Sequence, residues 1–163
     1  MEITKKVVLL GRYGVGKSSI ARRYLLDIFE KDYLPTLGVQ IKKKIIDLPN
    51  GTQLSMIIWD LEGFASVSKT RASYLLGSNA FIYVFDVSRP FTYGGLGEEL
   101  NYMKTHFPLV EIKLVGNKID LGDTEEASSH LKATGIQIEH FVSAKTGEGI
   151  QNLFQSLTKS LIP

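Results

Sequence analysis

Nine consecutive residues near the start of the chain hold its densest chemistry: Gly11-Arg12-Tyr13-Gly14-Val15-Gly16-Lys17-Ser18-Ser19. The spacing is glycine, four residues, glycine, lysine, serine. Glycines let a backbone pass close to phosphate oxygens, and a tight turn aims successive N–H groups inward. A helix beginning behind the turn adds the positive end of its dipole. In that geometry the Lys17 ammonium reaches β- and γ-phosphates, and the Ser18 hydroxyl can ligate Mg²⁺. The plain alternative is a tight glycine turn before a helix, and the motif's place between strand and helix favours the phosphate reading. Tyr13 is out of character, because it brings a bulky ring where space beside a phosphate is scarce.

Three further motifs follow. Asp60-Leu61-Glu62-Gly63 lies at the end of an apolar strand, where Asp60 can hold an Mg²⁺-bound water and the Gly63 N–H can meet a γ-phosphate. Asn117-Lys118-Ile119-Asp120 ends a second strand and Ser143-Ala144-Lys145 a third. Ligands of open α/β sheets bind outside the carboxyl ends of strands, so all four motifs converge on one rim.

The elements that must carry these motifs are readable from periodicity. Apolar runs of strand length alternate with stretches of helical period, the pattern of an α/β fold with a mostly parallel sheet. Lys6 to Leu10 reads as the first strand, and Lys17 to about Asp27 as a helix with Ile20, Tyr24 and Leu25 inward. Gln40–Leu48 and Thr52–Trp59 flank Pro49-Asn50-Gly51, a strong hairpin signal, so these strands are antiparallel. Phe81–Phe85 is apolar on both faces, as a central parallel strand must be. Ile112–Val115 and Ile136–Val142 complete the sheet. Leu96, Leu100, Met103 and Phe107 mark a helix closing before Pro108. Ile150, Leu153, Phe154, Leu157 and Leu161 form the apolar stripe of a last one. Ser88 to Gly97 reads as a loop.

Composition narrows the function classes. The 163 residues fit one domain with a substantial core. Nineteen basic and seventeen acidic residues leave a formal charge of +2, too small to argue for nucleic acid or a membrane surface. Lys42-Lys43-Lys44 reads as a solvated strand edge, because alternation sends its members to opposite faces. With no cysteine there is no disulfide, thiolate metal site or thiol nucleophile. The N-terminal stretch lacks the apolar segment of a signal peptide, and the C-terminal one carries no lipidation motif. The expectation is a cytoplasmic monomer, with any membrane attachment made through a partner.

Four motifs in this order and spacing make the chain resemble a small GTPase of the Ras superfamily over nearly its whole length. The resemblance implies a single G domain over 1–163 with the three-layer P-loop NTPase fold. That fold has a six-stranded, mostly parallel sheet with one antiparallel edge strand, and about five helices. It implies GTP and GDP as ligands, Mg²⁺ as cofactor, and protein effectors and regulators as partners. Gly14, Val15, Gly16, Lys17, Ser18 and Ser19 would cradle the phosphates. Ser18, Thr36 and Asp60 would hold the metal, and Lys17, Thr36 and Gly63 would serve hydrolysis. Asn117 and Asp120 would meet the base, Lys118 would pack along it, and Ala144, between Ser143 and Lys145, would offer its N–H to the guanine carbonyl. A carboxylate accepts from the guanine N1–H and exocyclic amino group; adenine lacks that pair of donors, so ATP is rejected. Phe29-Glu30-Lys31-Asp32-Tyr33-Leu34-Pro35-Thr36 would be the first switch, with Phe29 edge-on to the guanine and Tyr33 over the phosphates. The second would run from Asp60 to about Leu75.

Two positions depart from the family. Hydrolysis there depends on a Gln that orients the attacking water. The residue after Gly63 is Phe64, whose ring has neither donor nor acceptor. Tyr13 stands where the family often keeps a small residue and would crowd an arginine finger, a group contributing about 10³–10⁵ in rate in such GTPases. Both changes point to a switch with slow hydrolysis. The alternative is a hydrolysis-deficient GTP-binding scaffold, and an ATP-dependent kinase is disfavoured by Asn117–Asp120.

Overall fold

A computed structural model of the chain describes residues 1–29, 38–64 and 66–163. Its sheet is built outward from β1 (Glu2–Leu10), whose last four residues, Val7 to Leu10, are fully buried. Both faces of that strand are covered, which is why the run is apolar without alternation. On one side β1 pairs in parallel with β3 (Gln53–Leu61), and β3 pairs antiparallel with the edge strand β2 (Val39–Asp47). On the other side come β4 (Ala80–Asp86), β5 (Glu111–Asn117) and β6 (His140–Phe141), all parallel. The order is β2-β3-β1-β4-β5-β6, six strands with one antiparallel edge. The hairpin turns at Asn50-Gly51, where Asn50 Oδ1 accepts from the Thr52 N–H at 2.9 Å. Lys42 and Lys43 are exposed on that edge, and Lys44 lays its ammonium 4.9 Å from the Tyr24 ring.

Five α-helices stand among the described residues: α1 (Lys17–Leu26), α2 (Ala72–Leu75), α3 (Leu96–His106), α4 (Thr124–Ala133) and α5 (Ile150–Leu161). The period-2 alternation of the strands sorts them into layers. Val7, Leu9, Ile58 and Ile82 face α1 and α5 through Ile20, Tyr24, Leu153 and Phe154. Val8, Leu10, Phe81 and Phe85 face α3 and α4 through Leu96, Met103 and Leu131. The Tyr24 and Phe154 rings lie parallel, centroids 3.7 Å apart, fastening α1 to α5.

Two elements depart from the periodicity. The last strand is two residues long where Ile136–Val142 was expected. Ile136 instead closes α4, its N–H bonded to the Leu131 carbonyl and its side chain buried in the core. Helix α4, not assigned from the sequence, buries Ala127 and Leu131; its start is fixed by Asp123, which accepts from the Glu125 N–H at 2.8 Å. The Ser88–Gly97 loop contains a single 3₁₀ turn, Pro90–Thr92, and the first residues of α3.

Candidate functional site

At the carboxyl end of β1 the chain turns through Gly11–Gly16 into α1, with Gly16 as the helix N-cap. Every carbonyl of that turn has a donor. Lys17 Nζ donates to Gly11 O at 3.1 Å and Arg12 O at 3.0 Å. Arg89 donates to Tyr13 O at 3.0 Å and Gly14 O at 3.2 Å, and Lys118 Nζ also reaches Gly14 O, at 2.7 Å. Asn117 Nδ2 donates to Val15 O at 2.9 Å, and the Ile20 N–H to Gly16 O. In a trans peptide the carbonyl and the next N–H point in opposite directions. The Tyr13, Gly14 and Val15 carbonyls are held by residues outside the loop, so the N–H groups of Gly14, Val15 and Gly16 face the other side.

Lys17 and Asp60 are both buried. Burial pulls the Lys17 ammonium down to about 8, partly offset by the charge of Asp60. Burial pushes the Asp60 carboxyl up, opposed by the Ser18 hydrogen bond and by Lys17 and Arg22. Ser18 Oγ donates to Asp60 Oδ2, while the buried Asp60 Oδ1 has no hydrogen-bond partner among the described residues. An unpartnered buried carboxylate oxygen beside a hydroxyl is a hard-oxygen pair suited to Mg²⁺. A polyphosphate would raise Lys17 and a divalent cation would lower Asp60, so each would relieve what burial imposes. The residues present fit the pair of groups.

The base motifs gather at the ends of β5 and β6. Asn117 is buried and braces two loops, donating to Val15 O and accepting from the Ala144 N–H at 3.2 Å. Each of its side-chain polar atoms retains capacity for a second bond. Asp120 is exposed and accepts from Ser143 Oγ at 2.7 Å. A cleft of about 510 Å³ opens beside these motifs, between Ile119–Thr124 and Ser143–Glu148; Asp120 and Ser143 line it, whereas Asn117, Lys118 and Ala144 do not. Lys145 is exposed.

Two arginines that sequence reasoning missed hold these loops. Arg23 on α1 donates from Nε to Ala144 O at 2.8 Å and from its terminal nitrogen to Lys145 O at 2.6 Å, fixing the Ser143–Lys145 turn. Arg89, as above, holds the glycine turn. Its one sequence signal is Asp86, an acid ending the wholly apolar strand β4.

On the γ-phosphate side Gly63 is buried against Tyr13, where an added Cβ would stand 2.5 Å from Tyr13 Cα. No side chain fits there, so glycine is required by close approach. Tyr13 is 58 % exposed, and its ring reaches over Gly63 with Cδ1. Phe64 packs half-buried against the α3 side of the core, and Glu62 is exposed, its N–H bonded to Gly38 O. The Arg12 guanidinium lies 5.9 Å from the Phe91 ring and shares the electrostatic environment of Glu99 and Tyr83, on the α3 side. Ser19 is half-buried in the first turn of α1, and Phe29 packs at the edge of the α1–α5 core. Thr36 and Tyr33 lie outside the described residues.

Comparison with known proteins agrees with this arrangement. Residues 6–162 match the Ras family model. The chain is 33 % identical over 164 residues to Ras-related protein Rab-18-B of Danio rerio, covering 98 % of this chain and 80 % of that protein. It is 32 % identical over 165 residues to Ras-related protein Rab-31 of Homo sapiens, covering 97 % and 83 %. Ras-related protein Rab-18 of Lymnaea stagnalis is 33 % identical over 164 residues, covering 98 % and 81 %. The chain belongs to the Ras family of small GTPases, GTP-binding proteins that act as regulatory switches.

Proposed function

We infer that this chain is a switch that binds GTP and GDP with Mg²⁺, hydrolyses GTP slowly, and meets effectors and regulators through the segments flanking its phosphate site. The observation that carries the reading is Asp60: a buried carboxylate with one oxygen on Ser18 Oγ and the other without a hydrogen-bond partner among the described residues. Ser18 and Asp60 would hold the metal together with Thr36, and Gly14 to Ser19 the phosphates. A metal held there would supply Lewis-acid neutralisation of phosphate charge. Lys17 neutralises the β- and γ-oxygens, and the Gly63 N–H meets the γ-phosphate. The Asp120 carboxylate selects guanine, Lys118 lies along the base, and Ser143–Lys145 offers the Ala144 N–H. Phe29 closes the base side.

Hydrolysis in this family rests on positioning a water. The Phe64 ring cannot orient one, and Tyr13 covers the approach an arginine finger would use. Purified protein carries guanine nucleotide and no adenine nucleotide, as chromatography of the released ligand will show. Single-turnover hydrolysis of bound GTP is slow, and Phe64→Gln raises it; a wild-type rate equal to that of family members with Gln at this position overturns the slow-switch reading. A second reading, a hydrolysis-deficient scaffold, is favoured by the packing of Phe64 into the core, and GTP surviving purification unhydrolysed would select it.

A further inference from the structure

The donors to the glycine turn are not equivalent. Gly14 O has two, Arg89 and Lys118, whereas Tyr13 O has Arg89 alone among the described residues. Arg89 lies 75 and 76 positions away in sequence and is itself held in place. Its guanidinium stands 3.7 Å from the buried Asp86 carboxylate, which also faces the Lys118 ammonium at 3.2 Å. One face rests over the Phe91 ring at 4.9 Å. Its backbone is fixed by Thr92, whose buried hydroxyl donates to Arg89 O at 2.8 Å. An arginine fork spans two neighbouring carbonyls in a way a lysine point charge does not.

We propose that Arg89 is a positioning residue for nucleotide binding, holding the Tyr13 and Gly14 carbonyls outward so that the Gly14 and Val15 N–H groups face the phosphates. The geometry follows from the planar trans peptide: fixing the carbonyl of one residue fixes the opposed N–H of the next. Gly14 sits at φ 72, so without the clamp the Tyr13–Gly14 peptide is free to turn over and carry its donor away from the ligand. Asp86 ties the clamp to Lys118, so one buried carboxylate serves both the phosphate turn and the base motif.

This inference rests on the nucleotide-binding reading, and the experiment separates the two. Release of a fluorescent GDP analogue, measured with Mg²⁺ by displacement, is expected about tenfold faster in Arg89→Ala than in wild type, the loss of a charge-assisted pair of bonds. Arg89→Lys falls between, because it keeps the charge and loses the fork. Arg89→Ala also lowers the melting temperature of the nucleotide-free protein, because the buried Asp86 carboxylate loses a counter-charge. Arg89→Lys keeps that charge, so faster release in the Lys variant at a nucleotide-free melting temperature close to wild type is the readout a purely structural role would not give. Should Arg89→Ala fail to fold, the Lys variant carries the test alone, with release faster than wild type expected. Release at the wild-type rate in whichever variants fold overturns the clamp, as does a lowered nucleotide-free melting temperature with unchanged release. A wild-type chain that binds neither GDP nor GTP removes both the clamp and the switch.

Discussion

The glycine turn and the segment from Asp60 to Leu75 face each other across the same site and are held very differently. Every carbonyl from Gly11 to Gly16 has a donor, drawn from α1, β5, Lys118 and the loop after β4. Beyond the end of β3, where Asp60 and Leu61 are still held in the sheet, the opposing segment is anchored among the described residues mainly by the side chains of Val67 and Leu75 in the core, with few hydrogen bonds to other elements: the Glu62 N–H on Gly38 O and the Val67 N–H on Glu99 Oε2 at 2.7 Å. Local opening is easiest where buried contacts and shielded hydrogen bonds are sparse. A rigid half that holds a ligand and a lightly tethered half that responds to it is the division a two-state switch requires.

Asn117→Ala strikes the braced half hardest. It leaves the Val15 carbonyl and the Ala144 N–H without partners, each worth about 1–3 kcal/mol. GDP affinity by calorimetry falls about 100-fold or more. Gly63→Ala attacks the contact between the halves. Its new methyl meets backbone, so the loose segment must move away at a cost of about 1–3 kcal/mol in thermal stability. Adding Tyr13→Ala does not restore it, because the obstruction is main chain; rescue by that second change would contradict the geometry.

Glu99→Ala cuts one tether of the loose half, and amide exchange at Val67 accelerates about fivefold, the loss of roughly 1 kcal/mol. The smallest effect is the pH response of the same residue. Burial lifts the Glu99 carboxyl above its ordinary 4.5, against the pull of the Val67 N–H and Arg12. The folded chain therefore keeps this proton to higher pH than the unfolded chain. Its contribution to stability is complete below 4.5 and is lost as pH rises through the folded value. Glu99→Gln flattens that part of the melting-temperature profile above pH 4.5, and an unchanged slope there would show that Glu99 does not titrate in that window.

Sequence legibility follows the same divide between local and distant causes. The β2–β3 hairpin is written in Asn50-Gly51, and the central position of β4 in the run Phe81–Phe85, because turn chemistry and two-sided burial act within a few residues. The four motifs read correctly as one rim because each ends a strand. The bonds from Arg23 and Arg89 leave no such trace. They span 121 and 75 positions respectively and end on backbone carbonyls, which every residue possesses. The short β6 and the end of α4 are obscured because Ile136, apolar like a strand residue, is spent on closing the helix.

The parallel Tyr24 and Phe154 rings carry one more implication. They join the helix that begins at Lys17 to α5, whose inner stripe is otherwise far from any ligand. Whatever part of a ligand's steadying of α1 is passed on to α5, an intact α5 returns to ligand affinity as the same coupling free energy, since such linkage is reciprocal. The chain's distal helix should thus serve as an occupancy gauge, its amide protons slowing when guanine nucleotide is added, and its truncation loosening a ligand it never touches.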